Sequence, residues 1–220
     1  MLIALLVALL PPPIDHPWAG CQPGTFVRYR LTREPVEKGG PAGQKISVLE
    51  AGADHVLVRI ESLSATGEVM FQEETRHRFS APPERRRAGR ETLRIDGRDY
   101  PCELWESESG KTKTRVWLHP ELGSTPLQTE DRTAETTRLT RVVRFRETRA
   151  AAGMEFVCRV VERVEGGGED RPKVTTRTWE SLEVPGHVVR EEIRTDAPGR
   201  PRLVLRELTD LQVRKVAPVR

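Results

Sequence analysis

The side chains of this chain best suited to nucleophilic, acid–base or metal chemistry are three cysteines and five histidines. Their spacing assembles none of it. His16, His55, His77, His119 and His187 include no pair two or four residues apart, so no strand or helix face brings two imidazoles together. Cys21, Cys102 and Cys158 contain no Cys-x-x-Cys, the signature of a zinc ribbon or a dithiol redox site. Gly-x-Ser-x-Gly, His-Glu-x-x-His, the P-loop and Gly-x-Gly-x-x-Gly are all missing from the sequence. No pair of acids stands apart from an ordinary exposed strand face, so a glycosidase is not indicated. The sequence therefore implies no catalytic residue, no metal and no cofactor, and the chain reads as a non-enzyme. His119 and His187 each follow a tryptophan and could converge on a ligand or partner, with Trp105 as a third such contact. The plainer reading makes the two histidines surface-turn residues.

What the sequence does show is a pattern stated twice. Lys111-Thr112-Lys113-Thr114-Arg115-Val116-Trp117 recurs as Lys173-Val174-Thr175-Thr176-Arg177-Thr178-Trp179. Cys102 stands 15 residues before Trp117, within Gly97-Arg98-Asp99-Tyr100-Pro101-Cys102; Cys158 stands 21 residues before Trp179, within Gly153-Met154-Glu155-Phe156-Val157-Cys158. Both read Gly-x-x-aromatic-x-Cys, and the insert Gly166–Pro172 accounts for the difference of six. Cys102, Trp117, Cys158 and Trp179 are thus expected at equivalent positions of two β units, with the thiols and indoles packed inside. Two of the three cysteines could pair in an oxidising compartment, though spacing chooses no connectivity.

The elements that would position these residues are short strands between Gly/Pro turns. Phe26–Leu31, Lys45–Leu49, His55–Glu61, Glu68–Phe79, Tyr100–Glu106, His187–Arg194 and Arg202–Leu208 fit strands, with the clearest alternation in Phe26–Leu31 and Tyr100–Glu106. On one strand Tyr100, Cys102 and Leu104 share a face and Trp105 takes the other. On another Phe156, Cys158 and Val160 oppose Val157, Arg159 and Val161. Leu139–Arg146 is rich in β-branched residues and reads as strand. The fold class is all-β, a repeated antiparallel meander in one curved sheet or half-barrel. The expected organisation is a signal-like segment over 1–14, a first β unit over 15–82, a charged linker over 83–91, a second unit over 92–150 and a third over 151–220. The first unit would be a diverged copy lacking the Cys and Trp.

Composition bounds the partners. The chain has 36 basic and 33 acidic residues in 220, a net charge of +3, too balanced for a dedicated nucleic-acid binder. Arginine outnumbers lysine 30 to 6 and asparagine is missing from the sequence, a bias that reflects coding composition as much as binding. Arg85-Arg86-Arg87, in the linker, could meet lipid headgroups or a polyanionic wall polymer; the plainer reading is an exposed loop.

Leu2–Leu10 is an unbroken apolar run, too short to span a bilayer and of the length of a secretory h-region. It lacks a leading Lys or Arg and a clean small-residue cleavage site. Export to the periplasm or cell envelope is the expectation. Ala19-Gly20-Cys21 has the end of a lipobox, but Trp18 before it and the early end of the apolar run argue against lipidation of Cys21.

Two resemblances bear on function. Pro17-Trp18-Ala19-Gly20, followed by Gly24 and Phe26-Val27-Arg28-Tyr29, resembles the opening of uncharacterised exported bacterial β-repeat proteins. Trp117 with Pro126–Glu130, and Trp179 with Pro185–Glu191, resemble a segment of lipoprotein-carrier-like half-barrels of the bacterial envelope, without an obvious lid helix. That resemblance implies a concave apolar face able to hold an acyl chain, so that the partner would be a lipid, a lipidated protein or another apolar envelope component. The alternative is a structural or interaction module of the cell envelope with no small-molecule ligand.

Overall fold

The structure is a computed structural model, and it describes residues 16–36, 39–79, 84–123, 125–166, 172–197 and 201–214. The apolar run before residue 16, most of the insert at 167–171 and the turn at 198–200 lie outside the described residues. Thirteen strands account for nearly all of the rest. The first four are β1 (Phe26–Glu34), β2 (Gly43–Ala51), β3 (His55–Leu63) and β4 (Val69–Arg78). Then come β5 (Arg86–Ile95), β6 (Arg98–Ser109), β7 (Thr112–Leu118), β8 (Pro126–Arg132) and β9 (Thr137–Ala151). The last are β10 (Met154–Gly166), β11 (Lys173–Glu180), β12 (Val188–Asp196) and β13 (Arg202–Gln212). One 3-10 turn, Pro120–Leu122, interrupts them.

All thirteen strands form one open, curved sheet in the order β4-β3-β2-β1-β13-β12-β11-β10-β9-β8-β7-β6-β5, as the all-β meander reading expects. All chain neighbours except β4 and β5 pair as hairpins, and one pairing is non-local: β1 pairs β13 antiparallel from Phe26↔Gln212 to Glu34↔Leu203. A four-strand and a nine-strand meander thereby become one sheet. Its free edges are β4 and β5, consecutive in the chain. Arg78 and Arg86 are eight peptide links apart, so these edge ends lie within about 29 Å of each other. Register shifts at Arg28/Tyr29, Val48/Glu50, Arg87/Gly89, Cys158/Val160 and Trp179/Glu180 supply the bends, since a bulge kinks its strand and increases twist.

Two clusters fill the bends. The larger joins Trp18, Val27, Tyr29, Val48, Val56 and Val58 to Phe156, Cys158, Val160, Trp179, Val184, Val189 and Leu208. The smaller holds Ile95, Cys102, Leu104, Trp117, Leu127 and Val142. The Pro17-Trp18 opening has a definite seat. The Trp18 indole lies on Gly186 of the β11–β12 turn, and the Gly186 N–H donates to the Pro17 carbonyl at 3.1 Å.

Two boundaries move. Residues 86–91, read as linker, are the first six residues of β5. An edge strand exposed along its length has no buried face to impose alternation, so its arginines read as loop. The division at 150/151 falls inside β9, because Ala152 and Gly153 (φ 50° and 73°) form the tight turn of the β9–β10 hairpin.

Gly186 separates two effects that glycine substitution usually mixes. A Cβ there would lie 2.7 Å from the Trp18 ring at a φ of 76°, whereas at Gly67, with a φ of 87°, it would meet nothing within 4 Å. Gly67→Ala should cost roughly 1–2 kcal/mol from the left-handed backbone alone. Gly186→Ala should cost on the order of 1–3 kcal/mol more through the clash. Urea melts of the two variants measure the difference.

Candidate functional site

The residues singled out by spacing occupy matching environments. Each site begins at a two-residue turn with positive φ at both positions, Asp96-Gly97 (52°, 79°) and Ala152-Gly153 (50°, 73°). Five residues beyond each glycine stand Cys102 and Cys158, paired across the hairpin with Glu91 and Glu147. Two residues further, Leu104 faces Trp117 and Val160 faces Trp179. The Trp117 Nε1–H donates to Glu91 Oε2 at 2.8 Å, and the Trp179 Nε1–H donates to Glu147 Oε1 at 2.8 Å. Arginines cover the rings: Arg115 at 5.3 Å from the Trp117 centroid, Arg149 and Arg190 at 4.8 and 5.3 Å from that of Trp179. Arg115 and Arg177 bond Glu106 and Glu162 at 3.2 and 3.0 Å. The glutamates under the indoles were not singled out from the sequence, although Glu-x5-Gly-x-x-aromatic-x-Cys is legible in both copies.

This arrangement holds structure in place. Trp117 and Trp179 are 3% and 4% exposed, and Cys102 and Cys158 are buried. The thiols are unbridged and lie in different clusters. Burial pushes the Cys158 thiol up to about 11 and raises Cys102 as well, so both stay protonated at neutral pH. Each Sγ points to the carbonyl two residues back, at 3.3 Å for Cys102 and 3.7 Å for Cys158. For Glu147, burial opposes ionisation but is outweighed by the Trp179 hydrogen bond and by Arg149 and Arg144, so its carboxyl titrates below the ordinary range.

The face bearing both indoles is charged from edge to edge. Ladder partners share a face, and following the register places Arg86, Glu106, Arg115, Glu130, Arg141, Glu162, Arg177, Glu192, Arg190, Glu207, Arg30, Lys45, Glu61, Arg59 and Glu74 together. Every one of the thirteen strands contributes. The contacts include Arg141–Glu162 at 2.7 Å, Arg190–Glu192 at 2.7 Å, Arg30–Glu207 at 2.8 Å and Arg59–Glu74 at 2.8 Å. The Arg141 and Arg177 hydrogen bonds hold Glu162 below the ordinary carboxylate range against the effect of burial.

Of the residues expected to meet a ligand, His119 and His187 lie in different surroundings. His119 accepts from the Glu121 N–H at 3.3 Å, capping the 3-10 turn, and stands edge-on to Tyr100 at 5.7 Å. His187, at a φ of 63°, lies in the β11–β12 turn near His16. His16 packs on His77 and Phe79, and burial followed by the neighbouring His77 and His187 lowers its pKa. Trp105 sits half-buried on the face opposite Trp117, across from Val116; among the described residues its indole N–H has no acceptor. Among the described residues no three His, Cys, Asp or Glu side chains converge on a site that could hold a metal ion.

The hollows are open and mostly charged. A trough of about 820 Å³ at the start of β5 is lined by Glu84, Arg85, Arg86, Glu106, Glu108, Lys113, Arg115 and Arg132. A second, of about 570 Å³, lies between the β9–β10 turn and Arg30, Arg190 and Glu207. A third, of about 510 Å³, adjoins Thr92, Pro101, Cys102 and Pro120.

No family model matches the chain, and no curated protein matches it. Among solved structures, it is similar to a putative lipoprotein from Parabacteroides distasonis, at TM-score 0.48 and 9% identity, over 90% of this chain and 98% of that one. It is also similar to a putative exported protein with YmcC-like fold from Bacteroides fragilis, at TM-score 0.47 and 11% identity, over 87% of this chain and 97% of that one.

Two predictions follow from the paired sites. Iodoacetamide at mildly alkaline pH should leave Cys102 and Cys158 unmodified in the folded protein and alkylate both in urea, as peptide mapping would show. Glu147 contributes stability that is present above the pKa of an unfolded glutamate, because its folded value is depressed, and that is lost as pH falls through the folded value. The stability gap between wild type and Glu147→Gln should therefore be full at neutral pH and shrink on acidification below the ordinary carboxylate range.

Proposed function

We propose that this chain is an exported, non-catalytic β protein of the cell envelope that serves as an interaction platform for another protein. The observation that carries this reading is the ion-paired face. One of the sheet's two faces, the one bearing both indoles, is covered by Arg, Lys and Glu side chains from all thirteen strands. Its two indoles are buried beneath guanidinium groups. Such a surface favours a polar, charged partner over an acyl chain, because taking these ion pairs out of water under hydrocarbon is costly. Export rests on the Leu2–Leu10 run and on the Pro17-Trp18-x-Gly20 opening.

The carrier reading keeps the opposite face, with Trp105 beside Val116, Val161 beside Val142 and Ile193 beside Val204, and the hollow beside Pro101, Cys102 and Pro120, which is also lined by Arg90, Glu91 and Glu103. Native mass spectrometry after mild purification separates the two. The platform reading expects the bare polypeptide mass; a stoichiometric lipid adduct would replace it with the carrier. For export, the chain is expressed with its own N-terminus in a bacterial host. The expected mature product begins beyond Leu10, and recovery of intact Met1 only from the cytoplasm would overturn the assignment.

A further inference from the structure

We propose that the free edge of β5 docks an acidic, extended segment of a partner protein, which adds to the sheet as a further antiparallel strand. The inference deepens the platform reading by naming the surface and the chemistry of its partner.

The sheet has two open edges, and they differ in charge. Among the described residues β5 pairs only with β6, so its outer side presents a row of backbone N–H and C=O groups without a neighbouring strand there. Its ten residues carry Arg86, Arg87, Arg90 and Arg94 against Glu91, a net charge of +3, equal to that of the entire chain. β4 balances Glu73 and Glu74 with Arg76 and Arg78, and begins with the exposed Val69, Met70 and Phe71. The β5 charge is also incompletely answered from within the sheet. Arg86 and Arg87 bond Glu106 and Glu103 at 3.4 and 2.7 Å. Arg90 lies opposite the same Glu103, already engaged by Arg87, and Arg94 lies opposite Asp99. Both are exposed, and among the described residues neither forms an ion pair.

The start of the strand adds a receiving trough. Its lining is five basic side chains, Arg85, Arg86, Lys113, Arg115 and Arg132, against three acidic ones. The Arg85 Nε–H is buried there with no acceptor among the described residues. A carboxylate-bearing strand beside β5 would supply backbone partners to the edge, acceptors to Arg90 and Arg94 along it, and an acceptor to Arg85 at its end. Arginine suits this role because its planar donor fork matches a carboxylate.

The test uses the full-length mature chain and a fluorescent ten-residue peptide alternating Glu with Val, followed by anisotropy. A peptide with Lys in place of Glu is the control. The Glu peptide should bind and the Lys peptide should not. Raising salt from about 50 to about 500 mM should weaken binding about ten-fold or more, as exposed charge pairs are screened. Arg90→Glu combined with Arg94→Glu should weaken it about ten-fold or more, with an unchanged melting curve because both side chains are exposed. Hydrogen exchange should slow at amides within 86–95 and not within 69–78.

Three results would overturn the proposal. Equal binding of both peptides would remove the charge argument. Displacement by heparin with no protection of β5 amides would make the edge a polyanion surface rather than a strand acceptor. Absence of peptide binding together with self-association of the double variant would mean that the arginines serve only to keep sheet edges apart. None of these outcomes bears on a lipid adduct, so failure here is distinguishable from failure of the platform reading.

Discussion

The pairing of β1 with β13 is the constraint on which the remainder of the structure depends. It joins the first described strand to the last, and among the described strands no other pairing connects the four N-terminal strands to the other nine. The larger core then forms across this seam. Tyr29 of β1 is buried with its hydroxyl donating to the Val188 carbonyl at 3.1 Å, and Arg206 of β13 lies 4.8 Å from its ring centroid. Burial ahead of every other influence pushes the Tyr29 phenol to about 12, so it remains a donor throughout the physiological range. Thr25, wholly buried, exchanges hydrogen bonds with the backbone of Arg214 just past β13. Trp18 then closes the same end against Gly186. A contact between residues some 180 positions apart closes a long loop before it is rewarded, so the seam carries a larger entropic cost than the local hairpins.

Charge supplies register where apolar contacts alone would leave it loose. Individual exposed ion pairs contribute only about 0.2–1 kcal/mol, so the charged face is a weak source of stability pair by pair. Its geometry is more informative. Glu162 is met by Arg141 from β9 and by Arg177 from β11. A two-residue slip of β11 would keep every side chain on its face, yet would place Trp179 or Thr175 opposite Glu162 and move the indole off Glu147. A one-residue slip would exchange the faces outright. The glutamate beneath each indole acts in the same sense, since an indole N–H buried without an acceptor is costly. The paired glutamate, tryptophan and cysteine thus specify one alignment of three strands in each place where they occur.

The parts of this design legible in the sequence are those carried by local alternation. Phe156, Cys158 and Val160 are buried while Val157 is 57% exposed, as period-two reading of that strand requires. Asp96-Gly97 and the positions of Cys102 and Cys158 follow from turn chemistry and spacing. Two kinds of information were hidden. β9 runs for 15 residues but changes face at bulges near Val143 and Arg146, the latter at a φ of 57°, so no single alternation spans it. β5 is exposed almost throughout, and a strand without a buried face looks like a charged loop. The β1–β13 seam has no local signature at all. Of the candidate site, the four Cys and Trp positions were visible as a pattern; their glutamates could have been found by extending it backward, and Arg115, two residues before Trp117, lies within it, whereas Arg149 and Arg190 over the Trp179 ring come from other strands and could not be found that way.

An open sheet of this width has to manage two edges, and this one treats them differently. β5 is dense in arginine and β4 is charge-balanced with an apolar start. A uniform need to prevent edge-to-edge pairing would place like charge on both, since two cationic edges repel in every combination. Here a β5 edge repels another β5 edge, while β4 is left without that protection. The asymmetry also cannot arise from the core, because neither edge strand buries much of its surface. With the indoles covered and the central face ion-paired, the unanswered backbone and the unanswered guanidinium groups coincide on the same rim. On the reading proposed above, that coincidence makes the edge of the sheet, rather than its broad face, the recognition surface.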